Sequence, residues 1–195
     1  MSGPTTYHHG NLKEALIDAG FQILEEKGLA GLTLRACATR VGASHTAPQN
    51  HFKNLAGLQT AIAARGYQRL YQRMTTDIAP DASRADKRRR ALDGYVAFAT
   101  SEPGLFELMF SRQRTKSDDP ELEKQAFRCF ALLAESTSDL IGYHDGRPDA
   151  ALRVQIMHWS LVHGFAQLKV SGKLDKDDLK DLTIFDVLPD VLNKG

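Results

Sequence analysis

Thr33 to Phe52, TLRACATRVGASHTAPQNHF, decides the fold. Thr33 can cap a helix and Ser44 a second one, because each hydroxyl accepts from backbone N–H groups that a helix start leaves exposed. Gly42 lies between them as a tight turn, with the small Ala38 four residues earlier where two crossing helices would touch. Pro48 still falls near the first turn of the second helix, where a missing N–H costs little. The pattern reads as a helix-turn-helix, which can hold its second helix out into a DNA groove. The spacing alone serves a plain structural hairpin equally well.

The surrounding chain sets the limits. At 195 residues, with 42% apolar and 25% charged residues, it can bury a proper core. No stretch reaches the ~18 apolar residues of a membrane helix, and the N-terminus has no apolar signal core. Cys37 and Cys129 each lie in an apolar helical context, which suits two buried free thiols of a cytoplasmic protein. The net charge of +1 leaves nucleic-acid binding neither favoured nor excluded, and residues 1–55 are also close to neutral. The case for DNA rests on the motif.

Apolar spacing is helical nearly throughout, which predicts an all-α fold. Leu12, Leu16, Ala19 and Ile23 form the stripe of a first helix that Gly28 can close. A long helix is expected from Leu55 to Ile78, ended by Pro80-Asp81. Others are expected over Asp86–Ser101, in the short GLFELMF piece after Pro103, and over Glu121–Ile141, Asp149–Ser171 and roughly Lys176–Leu192.

Several of these residues carry a family likeness. The segment from residue 8 to about 66, with its Gly28-Leu29 and Leu32-Thr33-Leu34-Arg35 entry, Gly42-Ala43-Ser44 and the closing His51-Phe52, resembles the N-terminal domain of TetR-family transcriptional regulators. Trp159, His163 and Gly164 in WSLVHG resemble the Trp-x-x-x-His-Gly signature of one branch of that family. The likeness implies a three-helix DNA-binding domain over residues 8–54. It also implies a helical bundle over 55–195 for ligand binding and dimerisation. The expected function is a cytoplasmic homodimeric repressor, released from a palindromic double-stranded operator by a small-molecule effector.

The residues themselves suggest how DNA would be read. A helix begun at Ser44 would aim its first N–H groups at a phosphate. His45, Thr46 and Ala47 are short enough to approach base edges, and the amides of Gln49 and Asn50 can pair with adenine. Thr33 and Arg35 could hold the backbone or an adjacent base. His51 and Lys53 could reach phosphates, and Phe52 is expected in the core. Two positions depart from the family. Gln49 stands where a phosphate-anchoring tyrosine is common, and Leu55 replaces a common lysine. Both changes remove backbone contacts, which supply much of the affinity.

The bulk of the chain is expected to sense and to pair. Tyr95, Phe98, Phe106, Met109, Phe110, Phe127, Phe130, Trp159 and His163 are the candidates for an effector pocket, although such spacing also suits plain core. Gly164 is expected to permit close helix packing. The helix at 149–171 is apolar nearly all round and needs cover on two sides. The likeness implies that the last two helices pair with those of a second subunit. The interface candidates are Leu152, Ile156, Val162, Phe165, Leu182, Phe185 and Leu188. Paired reading helices about one DNA turn apart, roughly 34–36 Å, would fit successive major grooves.

The residues admit two other readings. His144, His158 and His163 as metal ligands would support an enzyme, but 158 and 163 fall on different helical faces and no Glu-x-x-His unit accompanies them. No phosphate loop or GxSxG occurs either, so neither an enzyme, a metal nor a cofactor is expected. A helical partner-binding protein with weakened DNA recognition is the second alternative, and Gln49 and Leu55 favour it.

Overall fold

The computed structural model describes residues 12–138, 140 and 146–189. Among these there are nine α-helices and no strand: α1 (Leu12–Gly31), α2 (Leu34–Arg40), α3 (Ala47–Phe52), α4 (Leu55–Thr75), α5 (Arg84–Ser101), α6 (Pro103–Met109), α7 (Pro120–Ser136), α8 (Ala150–Val170) and α9 (Ile184–Val187). The expected boundaries at residues 8 and 195, and Ile141 at the end of one expected helix, lie outside the described residues.

Local chemistry accounts for most boundaries. Gly28 takes φ 61°, which breaks α1 one turn before its end. Thr33 Oγ1 accepts the Ala36 N–H at 3.0 Å and caps α2. Asn54, Ser83 and Asp119 do the same for α4, α5 and α7. At the end of α4 the hydroxyls of Thr75 and Thr76 bond back to the carbonyls of Tyr71 and Gln72, and Asp77 adopts φ 59°. The helix therefore stops at Thr75 and does not continue to Ile78.

α4 is the axis of the core. Leu58, Ile62 and Met74 are fully buried along it, and Leu70 is 1% exposed. Each such side chain contributes roughly 1.5–3 kcal/mol of burial. α1 lies on one side of α4, and α5, α6 and α7 lie on others, with α8 packed against α5 and α7. Glycines set two of these approaches. A Cβ on Gly20 of α1 would stand 2.4 Å from Ile62 Cδ1, and one on Gly94 of α5 would stand 2.3 Å from the Arg73 carbonyl oxygen.

The C-terminal third departs from expectation. The segment 172–183 forms turns, and only the four residues Ile184–Val187 are helical. Residues 172–182 are crowded with Lys and Asp, and Asp favours caps and turns over helix interiors. Thr183 and Asp186 form a capping box that starts the short α9. Leu188 is buried, Phe185 lies half-buried beneath the Arg89 guanidinium at 4.1 Å, and Leu182 is half-buried. On α8 the inward stripe is Val154, His158, Val162 and Ala166, all 0% exposed, with Phe165 beside it. Val162, Phe165 and Leu188 therefore belong to the subunit's own core and cannot pave a dimer face. Leu152 and Ile156 remain 49% and 42% exposed. Among the described residues Gly164 meets no other helix of this chain, and a Cβ there would touch nothing within 4 Å.

The glycines give opposite expectations. Gly94→Ala drives a methyl into α4 backbone and should destabilise by about 1–3 kcal/mol. Gly164→Ala, in a helix with room around it, should stabilise by roughly 0.5–1 kcal/mol. Urea unfolding midpoints of the two variants should move in opposite directions.

Candidate nucleic-acid interface and internal cavity

The turn between α2 and α3 is built by its glycine. Gly42 takes φ 68°, its N–H bonds the Thr39 carbonyl at 3.2 Å, and the Ala43 N–H bonds the Ala38 carbonyl at 2.9 Å. These two bonds close the Schellman motif of a helix end. The second helix then begins later than the sequence suggests. Ser44 does not cap it: its hydroxyl pairs with Thr46 Oγ1 at 3.3 Å, its carbonyl accepts the Ala47 N–H at 3.1 Å, and α3 starts at Ala47. Pro48 supplies the reason. A helix begun at Ser44 would need the Pro48 N–H for its first bond, and the ring would strike the Ser44 carbonyl. In the observed register Pro48 sits in the first turn, buried, where no N–H is missed.

This register turns one side of the unit outward. Thr33, Arg35, Ser44, His45, Thr46, Gln49, Asn50, His51 and Lys53 are exposed, Ala47 is half-buried, and Phe52 is buried at 5% exposure. Arg40 is held to α1 by Glu26 (Nη1 to Oε1, 2.6 Å) and Gln22 (3.3 Å). Among the described residues Arg35 and Lys53 make no ion pair, so both cations are available to a partner.

α4 ties this unit to the rest of the chain. Gly57 lies so close to α3 that a Cβ would stand 2.0 Å from the Phe52 carbonyl oxygen. Arg65 pairs with Glu14 and, at 3.2 Å, with Asp18 of α1. Arg69 pairs with Glu102 at 2.7 Å, and its guanidinium covers the Phe21 ring at 3.8 Å. Gly104 brings the start of α6 against the Leu24 carbonyl of α1. Nothing in the sequence patterns had singled out Arg69, Glu102 or Phe21.

The opposite face of α4, at Tyr67 and Leu70, forms part of a cavity of about 330 Å³, lined also by Tyr95, Phe110, Ala126, Phe127, Cys129, Phe130, Leu133 and Trp159. Five of the nine expected pocket residues line it: Tyr95, Phe110, Phe127, Phe130 and Trp159. Phe98, Phe106 and Met109, at 0%, 1% and 4% exposure, are core and do not reach it. His163 stands behind the wall, its Nδ1 2.9 Å from the Tyr95 hydroxyl. The rings of Tyr95, Phe106, Phe110 and Trp159 lie around His163, with centroids 4.5–6.3 Å away. Burial pushes the Tyr95 hydroxyl up and His163 down, so both stay neutral near pH 7. Tyr67, Leu70, Cys129 and Leu133 were missed, although their inward spacing on α4 and α7 carries the signal. The cavity thiol of Cys129 donates to the Tyr67 carbonyl at 3.3 Å and is pushed up to about 12 by burial. It is an inert wall group at neutral pH.

His158 is 0% exposed, and among the described residues neither ring nitrogen has a hydrogen-bond partner. Burial, helped by the Arg88 charge, lowers it to about 4. Arg88 is itself buried, and its Nη1 donates to the Ser136 carbonyl at 2.9 Å, at the C-terminal end of α7. His158 and His163 do not converge, and His144 lies outside the described residues. Among the described residues no cluster of three metal-ligating side chains forms, and no helix is long and apolar enough to cross a membrane.

Comparison with known proteins agrees with this geometry. The C-terminal domain described as tetracyclin repressor-like matches residues 89–192. An HTH-type transcriptional regulator of Mycobacterium tuberculosis is 26% identical over 166 residues, covering 85% of this chain and 73% of its own. A solved structure of a Rhodococcus protein superposes with a TM-score of 0.73 at 25% identity, over 96% of this chain and 93% of the other. The Bacillus subtilis transcriptional regulator FadR, solved with stearoyl-CoA, has the same fold. Its TM-score is 0.63 at 15% identity, over 92% and 95% of the two chains.

The buried histidine has a pH signature. The unfolded chain binds a proton at His158 near pH 6.5, but the folded chain does so only near 4. Stability from this residue is therefore full above pH 6.5, declines as pH falls toward 4, and is flat below that. The whole change is roughly 3 kcal/mol. A His158→Met variant should lack it when urea unfolding is compared across that pH range.

Proposed function

Because the chain belongs to the tetracyclin-repressor-like (TetR) family of HTH-type transcriptional regulators, we propose that it represses transcription from a palindromic operator and is released when a small molecule enters the cavity. The observation that carries this reading is the double duty of α4. Its Tyr67 and Leu70 line the cavity, while its Arg65 and Arg69 bear on α1. A ligand that shifts α4 would shift the reading unit with it, which is coupling through a shared packed element.

In this reading residues 8–54 are the DNA-binding domain and 55–195 the effector and dimerisation domain, of the branch marked by Trp159, His163 and Gly164. Gln49 and Asn50 read base edges, with His45, Thr46 and Ala47 beside them. Thr33, Arg35, Ser44, His51 and Lys53 hold the DNA backbone. The homodimer forms on the outer side of α8, where Leu152 and Ile156 are exposed. Large apolar side chains gathered on one helix face mark an interaction surface. The protein acts in the cytoplasm, and its chemistry is binding and not catalysis.

Selection from a random DNA pool tests the reading directly. It should return a palindrome, and a salt-independent, sequence-blind result would favour the partner-binding alternative. On the selected site, Asn50→Ala should cost about 1–3 kcal/mol and relax one position. Gln49→Tyr should tighten binding on every sequence by adding a phosphate contact. An unchanged gel-shift affinity for the tyrosine variant would remove Gln49 from the DNA-facing set.

A further inference from the structure

The wall of the cavity specifies its occupant. This inference rests on the effector reading above and narrows it to a chemical class. Among the described residues no Lys, Arg, Asp, Glu or His lines the space, so an ion entering it would lose water and gain no counter-charge. That transfer costs several kcal/mol.

The hydroxyls and the thiol in the wall are already engaged within the protein. The Tyr67 hydroxyl donates to the Met109 carbonyl at 3.4 Å, and the Cys129 thiol donates to the Tyr67 carbonyl. Tyr95 is hydrogen-bonded to His163 at 2.9 Å. A ligand rich in hydroxyls or amides would give up its hydrogen bonds to water for little return.

Apart from Leu70, Ala126 and Leu133, the remaining surface is aromatic. Tyr67 and Phe110 meet edge to face at 5.9 Å and 73°, and Phe130 and Trp159 do so at 5.8 Å and 74°. Such walls offer both ring faces and ring edges, which a further ring can meet in offset or T-shaped contact. At about 330 Å³ the space is at the small end of ligand sites. A few rings fit, but a nucleotide-bearing coenzyme or a helix of another protein does not.

We infer that the effector is a small uncharged aromatic molecule of two or three rings, held by Tyr67, Tyr95, Phe110, Phe130 and Trp159 without a salt bridge. Shape and the absence of charge set its specificity, and Phe127, 67% exposed, stands at the open side of the cavity.

The chain has a single tryptophan, and it is in the wall, so its emission reports occupancy. The full-length protein is titrated with biphenyl, biphenyl-4-carboxylate, 4-phenylbenzylammonium, dodecanol and stearoyl-CoA. Trp159 emission and calorimetry are followed together, and the selected operator is titrated separately in gel shifts. Saturable biphenyl binding, at least tenfold tighter than either charged relative and than dodecanol, is the expected result. Equal or tighter binding of the carboxylate or the ammonium, preference for dodecanol or stearoyl-CoA, or no biphenyl binding would each overturn the inference. Sequence-specific operator binding alongside any of these would leave the regulator reading standing. Biphenyl binding without a selected operator would instead sink the repressor reading and keep the ligand class.

Discussion

Everything in this fold leans on α4. It is the helix against which α1 closes on one side and α5, α6 and α7 close on the others. Its buried residues are therefore shared between the reading unit and the bundle. Closeness is achieved by removing side chains. Gly20 and Gly94 on neighbouring helices, and Gly66 on α4 itself beneath Met109, each occupy a place where a Cβ would collide. A close-packed interior transmits displacement and does not absorb it. The contact that holds α1 to the bundle is thus also the one through which a displacement would pass.

The polar contacts along α4 have a different role. The Arg65 and Arg69 pairs are partly exposed, and ion pairs of this kind contribute only ~0–1 kcal/mol. Their value lies in direction. Arg69 touches Glu102 and the Phe21 ring together, so the angle between α1 and α4 has a preferred setting. Deeper in the bundle the economy is stricter. Arg88 reaches a helix-end carbonyl, while His158 stays neutral with no hydrogen-bond partner among the described residues.

The frame was legible in the residues because its signals are local. Capping by Thr33, the turn at Gly42, the break at Gly28 and the helical spacing of apolar residues each depend on a few neighbours, and each is present in the structure. Signals that needed counting across distance were less readable. The start of α3 depends on which carbonyl Pro48 would block, so Ser44 alone pointed to the wrong residue. The helix expected over 176–192 had apolar residues at workable intervals, but its Lys- and Asp-rich first half prefers turns. On α8, apolar residues on every side could not say which stripe faces inward. Burial assigned Val162 and Phe165 to the core and left Leu152 and Ile156 outside. Of the aromatic candidates, those that line the cavity and those that fill the core share one spacing, and only the crossing of α4, α5, α7 and α8 separates them.

The two thiols divide the molecule between them. Cys37 lies at 0% exposure in α2 and Cys129 at 5% in α7, and burial pushes them to about 11 and about 12. Each can react only when its own neighbourhood opens, so alkylation rates clock local unfolding rather than intrinsic reactivity. The chain thus carries one kinetic reporter in the reading unit and another in the cavity wall. An occupant of the cavity would slow the second directly, and any change in the first would measure how far the strain travels along α4.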